Sequence, residues 1–471
     1  MTSTQHDDLL VCDAVELASM IASGHVSPVE AVRASLDRLQ RVEPTLNAFS
    51  HVLRDEALEA ARRSEQQRAD GSPLPPLFGV PFSVKDLIAV DGAPLAFGCR
   101  AFADNRASID APSVARLRAA GAIVIGKTTT SEMGCKAVGA SPLTGFTRSP
   151  WDPACTAGGS SAGAAASVAT GVTPVALGTD GGGSIRIPAA LNGLVGFKAQ
   201  FGRVPVFPHS ATPDLAHVAP LARSVRDVAL MLQVMAGHDA RDPGSLMQAP
   251  PNFLRAADAV PRKVRIAWSP TYGYAEPDAE VVGVVEAAVK ALERGGCEVE
   301  LVEAPFGPDP GDAWTQLFYA QVAARYGGLL DNQPDLIDPA VLPLLRAAAA
   351  RPALAHARAL TVRRHVYDQL RALFERFDVL ISPTLPVASV PVGLDLPRGH
   401  EGRNLVTWAS YTYPFNLSGL PAASLPAGHT STGHPVGMQA VGRPGGDAEL
   451  LNFCAAFEAL RPWPRVAPLP A

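Results

Sequence analysis

Two loops of small residues hold the serines whose surroundings could support chemistry. TAGGSSAG, residues 156–163, contains Ser160 and Ser161, and GTDGGGSIR, residues 178–186, contains Ser184, 24 positions beyond Ser160. Three consecutive glycines let a ligand approach the backbone closely. The N–H groups of Gly181, Gly182, Gly183 and Ser184, ahead of a short helical pattern, therefore suit a developing oxyanion. The loop also has the glycine spacing of a phosphate-binding G-x-x-x-x-G-K-[ST] motif at Gly178 and Gly183, but Ser184 stands where that motif needs its lysine. A structural turn with an incidental serine is the third reading.

The first loop matches the nucleophile-elbow pattern G-x-S-x-G, which would select Ser161. An elbow needs a strand directly before it, and the preceding SPWDPACTAG has no strand pattern. Lys85 ends the apolar run GVPFSV. Desolvation there would depress its pKa, and a neutral amine is a competent general base, whereas a lysine followed by Asp86 is more commonly salt-bridged. None of the eleven histidines stands in a glycine-rich or otherwise chemical setting, which disfavours a histidine-based triad.

The elements that must position these residues read as alternating strands and helices. Three helices are expected over about residues 12–61, with Ser27-Pro28 as an N-cap followed by proline in the first turn, and a polar loop over 63–77. GVPFSVKD, AIVIGK and VTPVALGTD read as strands, Pro112–Ala120 as a helix linking the first two in a βαβ unit, and SSAGAAASVATG as a helix of almost only small residues. Further helices are expected at Val225–Gly237, 278–294, across 313–376 and at 447–460, with strands VRIAW, CEVELV, DVLISPT, AASLPAG and GMQAVG between them. This alternation argues for an α/β fold with helices on both faces of the sheet.

Composition narrows the function classes. A net charge of −5 without like-charge blocks offers nothing to nucleic acid. No apolar run reaches the length of about 18 residues that a membrane span needs. Asp7, Asp8 and Asp13 occupy the region where a signal peptide would be basic and then apolar. Six scattered cysteines, without C-x-x-C or zinc-ligand spacing, fit a reducing compartment, so the expected location is cytoplasmic.

Taken together, GVPFSVKD, GKTTTSE, the block from TAGGSSAG through ALGTDGGGSIRIPA to GLVGFK, and the late PFNLSGLPAASLPAGH and HPVGMQAVGRPGGDAELL resemble the amidase signature family in order and spacing, over roughly residues 10–460. The resemblance implies a single α/β/α domain over residues 1–471 around a mixed central sheet. Within it the signature core covers about 75–205, and a helical substrate-side region covers about 311–376. It implies Ser184 as the nucleophile that forms an acyl-enzyme, Ser160 as a bridging serine after a cis Gly159–Ser160 bond, and Lys85 as the base. It further implies Asp180 and Arg186 as a structural pair holding the loop, and Met133, Gly134, Trp314 and Phe318 as substrate-pocket walls. The implied reaction is hydrolysis of a small-molecule carboxamide without metal or organic cofactor, with a homodimer left open as the assembled state. Ala162, Ala199 and Ser149 depart from the family pattern outside the three catalytic positions. Two rivals remain: the amidase-like component of a tRNA-dependent amidotransferase, and a non-catalytic homologue.

Overall fold

The strand Pro81–Lys85 (β2) lies fully buried between two parallel neighbours, Ile123–Thr128 (β3) and Val175–Asp180 (β6). These strands belong to one sheet of eleven in the computed structural model, which describes residues 9–71, 73–260 and 263–468. Asp7, Asp8 and Pro261 lie outside the described residues. The other members are Phe49–Val52 (β1), Val195–Lys198 (β7), His217–Ala222 (β8), Arg265–Trp268 (β9), Glu298–Leu301 (β10), Val379–Pro383 (β11), Ala422–His429 (β12) and Pro435–Gly442 (β13). Their order is β1-β3-β2-β6-β8-β7-β12-β13-β11-β9-β10. Parallel pairs join β3-β2-β6 and β11-β9-β10, and the remaining pairs are antiparallel, so the sheet is mixed. Two short segments, Ala140–Ser141 (β4) and Gly145–Phe146 (β5), form a separate ladder.

Side chains alternate across a strand, and this divides the core into two layers. Phe82 and Val84 of β2, Leu177 of β6, Ile381 of β11 and Met438 of β13 pack with the helices Pro112–Ala119, Val225–Met235, Ala279–Arg294 and Asp447–Leu460. On the opposite face, Ile125 of β3 meets the helix Pro28–Leu46, Ala176 meets Ala162–Ala169, and Leu380 and Val441 meet the long helix Ala353–Arg376. The α/β/α arrangement expected from the alternation is what the chain adopts.

Local chemistry explains the elements that hold the site. Ser27 caps Pro28–Leu46 in a full capping box with Glu30, and proline occupies the first turn. Helix Ala162–Ala169 is completely buried because its small side chains permit close approach. At Gly163 a Cβ would stand 2.0 Å from the Ala48 carbonyl oxygen. The helix Arg54–Ala69 runs through much of the stretch expected as polar loop, because its apolar anchors Ala57 and Ala61 suffice to seat a largely solvated helix. Strand β1 interrupts the stretch expected to hold only helices, and β8 and the short helix Phe253–Asp258 lie where no regular element was expected. Among the described residues, no helix is long and apolar enough to cross a membrane.

Candidate active site

Lys85 is the last residue of β2, and Thr179 and Asp180 end its parallel neighbour β6. The carboxyl ends of adjacent parallel strands are where open α/β sheets place ligands. The loop that follows β6 delivers Ser184, and the loop that precedes helix Ala162–Ala169 delivers Ser160. Both serines line one cleft of about 980 Å³, measured to include its open mouth. The Gly159–Ser160 peptide bond is cis.

Lys85 is fully buried, and its Nζ lies 2.7 Å from Ser160 Oγ, 2.9 Å from Ser161 Oγ and 2.8 Å from Thr179 Oγ1. Burial pushes its pKa well below the usual lysine range, opposed by the negative charge of Asp180. Asp86 takes no part in this: its carboxylate sits 3.6 Å from the Lys127 ammonium and accepts the Ala96 N–H. Ser161 Oγ in turn donates to the Thr179 carbonyl at 3.2 Å and accepts the Thr179 N–H at 3.3 Å. Ser161, the residue an elbow motif would have selected, is thus tied to β6 and to Lys85. Neither it nor Thr179 stood out in the sequence as a partner of Lys85, although Ser161 adjoins Ser160.

The loop that carries Ser184 is held from below by a buried ion pair. Arg186 Nε and Nη2 donate to the two oxygens of Asp180 at 3.0 and 2.9 Å, and the remaining donors reach the Thr412 carbonyl, Gln439 Oε1 and Asn416 Oδ1. Burial alone would raise the Asp180 pKa, but the charge and hydrogen bonds of Arg186 override it and hold the carboxyl far below its ordinary value. Asp180 Oδ1 also accepts the Gly183 N–H at 2.8 Å, and Oδ2 accepts that of Ile185 at 3.3 Å.

The Gly183 contact corrects one expectation. A donor committed to a carboxylate does not face an oxyanion, so the row of four is reduced to Gly181, Gly182 and Ser184. Of these, Gly181 and Ser184 border the cleft.

Met133, Gly134 and Phe318 line the cleft as expected. Trp314 does not. It is fully buried beneath the loop, its Nε1 donating to the Gly181 carbonyl at 3.0 Å and its ring stacked on Phe318 at 4.7 Å. A Cβ on Gly182 would meet Trp314 Cζ2 at 2.4 Å, which explains the glycine there. The helix Gly311–Arg325 therefore offers Trp314 as a support and, one turn later, Phe318 as a wall. A second wall, Val206 to Thr212 with its cis Phe207–Pro208 bond, went unread because the segment has no periodicity.

His209 and His217 border the cleft although the sequence sets neither apart, and His217 is buried. Its Nδ1 faces the Leu215 and Asp180 carbonyls at 2.9 and 3.1 Å and its Nε2 faces the Lys198 ammonium at 3.4 Å. Burial first, then the Lys198 charge, push its pKa well down. It is a neutral ring with both nitrogens engaged.

The amidase family model matches residues 30–451 of this chain. An acylamidase from Rhodococcus erythropolis is 38% identical over 457 residues, covering 96% of this chain and 95% of that one. A glutamyl-tRNA(Gln) amidotransferase subunit from Chloroflexus aurantiacus is 33% identical, covering 98% of both. Among solved structures, a bacterial aryl acylamidase of the amidase signature family superposes with a TM-score of 0.90 at 32% identity, covering 96% of each chain. The 6-aminohexanoate cyclic dimer hydrolase does so at 0.88 and 30% identity, covering 98% of this chain and 99% of that one. The chain belongs to the amidase signature family.

Proposed function

We infer that the protein hydrolyses small-molecule carboxamides to a carboxylate and ammonia or an amine, through an acyl-enzyme on Ser184. The observation that carries this reading is the buried Lys85, 2.7 Å from a serine that opens onto the same cleft as Ser184. The acylamidase and aryl acylamidase likenesses support the same reaction.

The hydroxyl cage around Lys85 gives the proton path a direction. A neutral amine has two N–H bonds and one lone pair, and three oxygens surround it. Donation to Ser161 Oγ and Thr179 Oγ1 leaves the lone pair aimed at the hydroxyl of Ser160. Ser160 passes its proton to Lys85 while taking that of Ser184, whose oxygen attacks the amide carbon. The ammonium so formed donates to all three oxygens without any heavy atom having to move. Gly181, Gly182 and Ser184 supply N–H groups for the oxyanion. Collapse returns the proton through Ser160 to the leaving amine, and water then cleaves the acyl-enzyme by the same relay.

The cleft favours apolar groups beside the scissile bond, with Arg325 as a cationic member of its lining. Leu87, Leu95, Phe97, Met133, Phe207 and Phe318 face it, and none of its described lining residues is acidic. We place the reaction in the cytoplasm, a reading supported by six free cysteines.

The test is hydrolysis by the purified chain alone of aliphatic, aryl, peptide and ureide amides, with Ser184→Ala as control. Turnover of apolar aliphatic or aryl amides that Ser184→Ala abolishes is the expected result. Inactivity on every class, with activity only inside a tRNA-dependent complex, would favour the amidotransferase role of the Chloroflexus relative.

A further inference from the structure

Away from the cleft, the loop over residues 149–157 meets the turn between β12 and β13. Asp152 and Cys155 come from the loop and His434 from the turn. Cys155 Sγ lies 3.4 Å from Asp152 Oδ2, His434 Nε2 lies 3.8 Å from the same oxygen, and the three ligand atoms all fall within 4.8 Å of one another. None of the three borders the hydrolytic cleft. We propose that Asp152, Cys155 and His434 form a binding site for one divalent cation of the zinc type, which clips the loop to the hairpin.

The geometry is close to what such an ion requires. With zinc–sulfur bonds of about 2.3 Å and zinc–nitrogen and zinc–oxygen bonds of about 2.0–2.2 Å, neighbouring ligands of a tetrahedron stand about 3.4–3.6 Å apart. The Cys155–Asp152 separation is already there and the His434–Asp152 separation is within a few tenths of an ångström. A side-chain shift of about 1 Å closes the rest.

Both carriers are fixed by their own backbones. Asp152 Oδ1 accepts the Ala154 N–H at 2.9 Å, which turns Oδ2 toward the other two ligands. Thr156 N–H donates to the Val390 carbonyl and Val392 N–H to the Ala154 carbonyl, both at 2.9 Å, so the loop is pinned on either side of Cys155. On the hairpin, Thr430 N–H donates to the His434 carbonyl at 2.9 Å and His434 N–H to Thr430 Oγ1 at 3.1 Å.

The donor set chooses the ion. One thiolate, one imidazole and one carboxylate suit zinc, cobalt or cadmium, whereas magnesium and calcium take oxygen ligands. Cys155 is buried, while the Asp152 and His434 side chains are 38% and 18% exposed, which leaves an open side for water as fourth ligand.

Without a cation the Cys155 S–H donates to Asp152 Oδ2, and His434 Nε2 stands 3.8 Å from the same oxygen. Binding therefore exchanges a proton for a metal: the S–H bond breaks, one proton leaves to solvent and the sulfur lone pair bonds the cation.

The experiment is titration of the chelator-treated full chain with cobalt(II) near neutral pH, read by absorption, proton release and thermal midpoint. One cobalt per chain is expected, with a near-ultraviolet thiolate-to-cobalt band, visible bands of tetrahedral intensity, one proton released and a raised midpoint. Cys155→Ser should lose the near-ultraviolet band, His434→Ala should weaken binding by about tenfold or more, and Cys297→Ser should keep both. Absence of the band at stoichiometric cobalt overturns the proposal, as does a band that survives Cys155→Ser or an affinity that His434→Ala leaves unchanged.

Discussion

Lys85 Nζ and Ser160 Oγ are 2.7 Å apart at a site where both side chains are almost wholly shielded from water. Two further hydroxyls, Ser161 and Thr179, complete a polar cage inside an apolar sheet. Such a cage solvates an amine well and an ammonium less well than water does, which is why burial dominates the direction of the pKa shift.

The first prediction concerns pH. The folded pKa of Lys85 is depressed, so the competent neutral amine predominates above it and is lost as pH falls through it. The acid limb of kcat/KM should therefore follow one group that Lys85→Ala removes together with the activity. A rate that stays level down to about pH 5 contradicts a lysine base.

Removing members of the relay should be strongly non-additive. Ser184→Ala abolishes turnover, and Ser160→Ala and Lys85→Ala each lose several orders of magnitude. The Ser160/Lys85 double variant should be little worse than either single one, because the residues work as one path. Full additivity in single-turnover kinetics would separate their roles.

Breaking the Asp180–Arg186 pair should unfold the loop's support before it affects anything else. Asp180→Ala leaves a buried guanidinium uncompensated and frees the Gly183 and Ile185 N–H groups, at a cost of about 3–5 kcal/mol. Because the folded Asp180 pKa lies below its unfolded value, its contribution is present above the ordinary aspartate range and fades only as pH falls toward the folded value. Wild-type and Asp180→Ala denaturation curves should thus differ by a constant amount near neutrality and converge in acid.

Trp314 supplies a steric test. Gly182→Ala drives a methyl into the indole and should lower kcat and stability together, while Trp314→Leu in the same chain relieves the clash and restores part of the stability. Phe318→Ala, by contrast, opens the wall and should act mainly on KM for apolar amides. Equal effects of Gly182→Ala with and without Trp314→Leu would remove the indole from the account.

Much of this is legible in the sequence. Apolar strand patterns placed β2, β3 and β6, small-residue composition marked the helix Ala162–Ala169, and family blocks singled out Lys85, Ser160 and Ser184. Strand β8 was hidden by Pro220, which a central strand normally excludes. It is tolerated because β7 pairs with β8 only at Ala222 and Leu221, leaving Pro220 facing no ladder on that side. Trp314 was misread because an aromatic on a helix does not reveal which of its two ends faces a cavity. The Gly183 N–H was miscounted because its acceptor, Asp180, turns back on its own loop only in three dimensions.

The central claim is that Ser184, and neither Ser160 nor Ser161, carries the acyl group. Labelling the purified chain with a fluorophosphonate and mapping the adduct by peptide mass spectrometry tests it most directly. One adduct on Ser184, absent from Ser184→Ala and slowed in Lys85→Ala, is the predicted result. An adduct on Ser160 or Ser161, or no adduct in an active preparation, would contradict it.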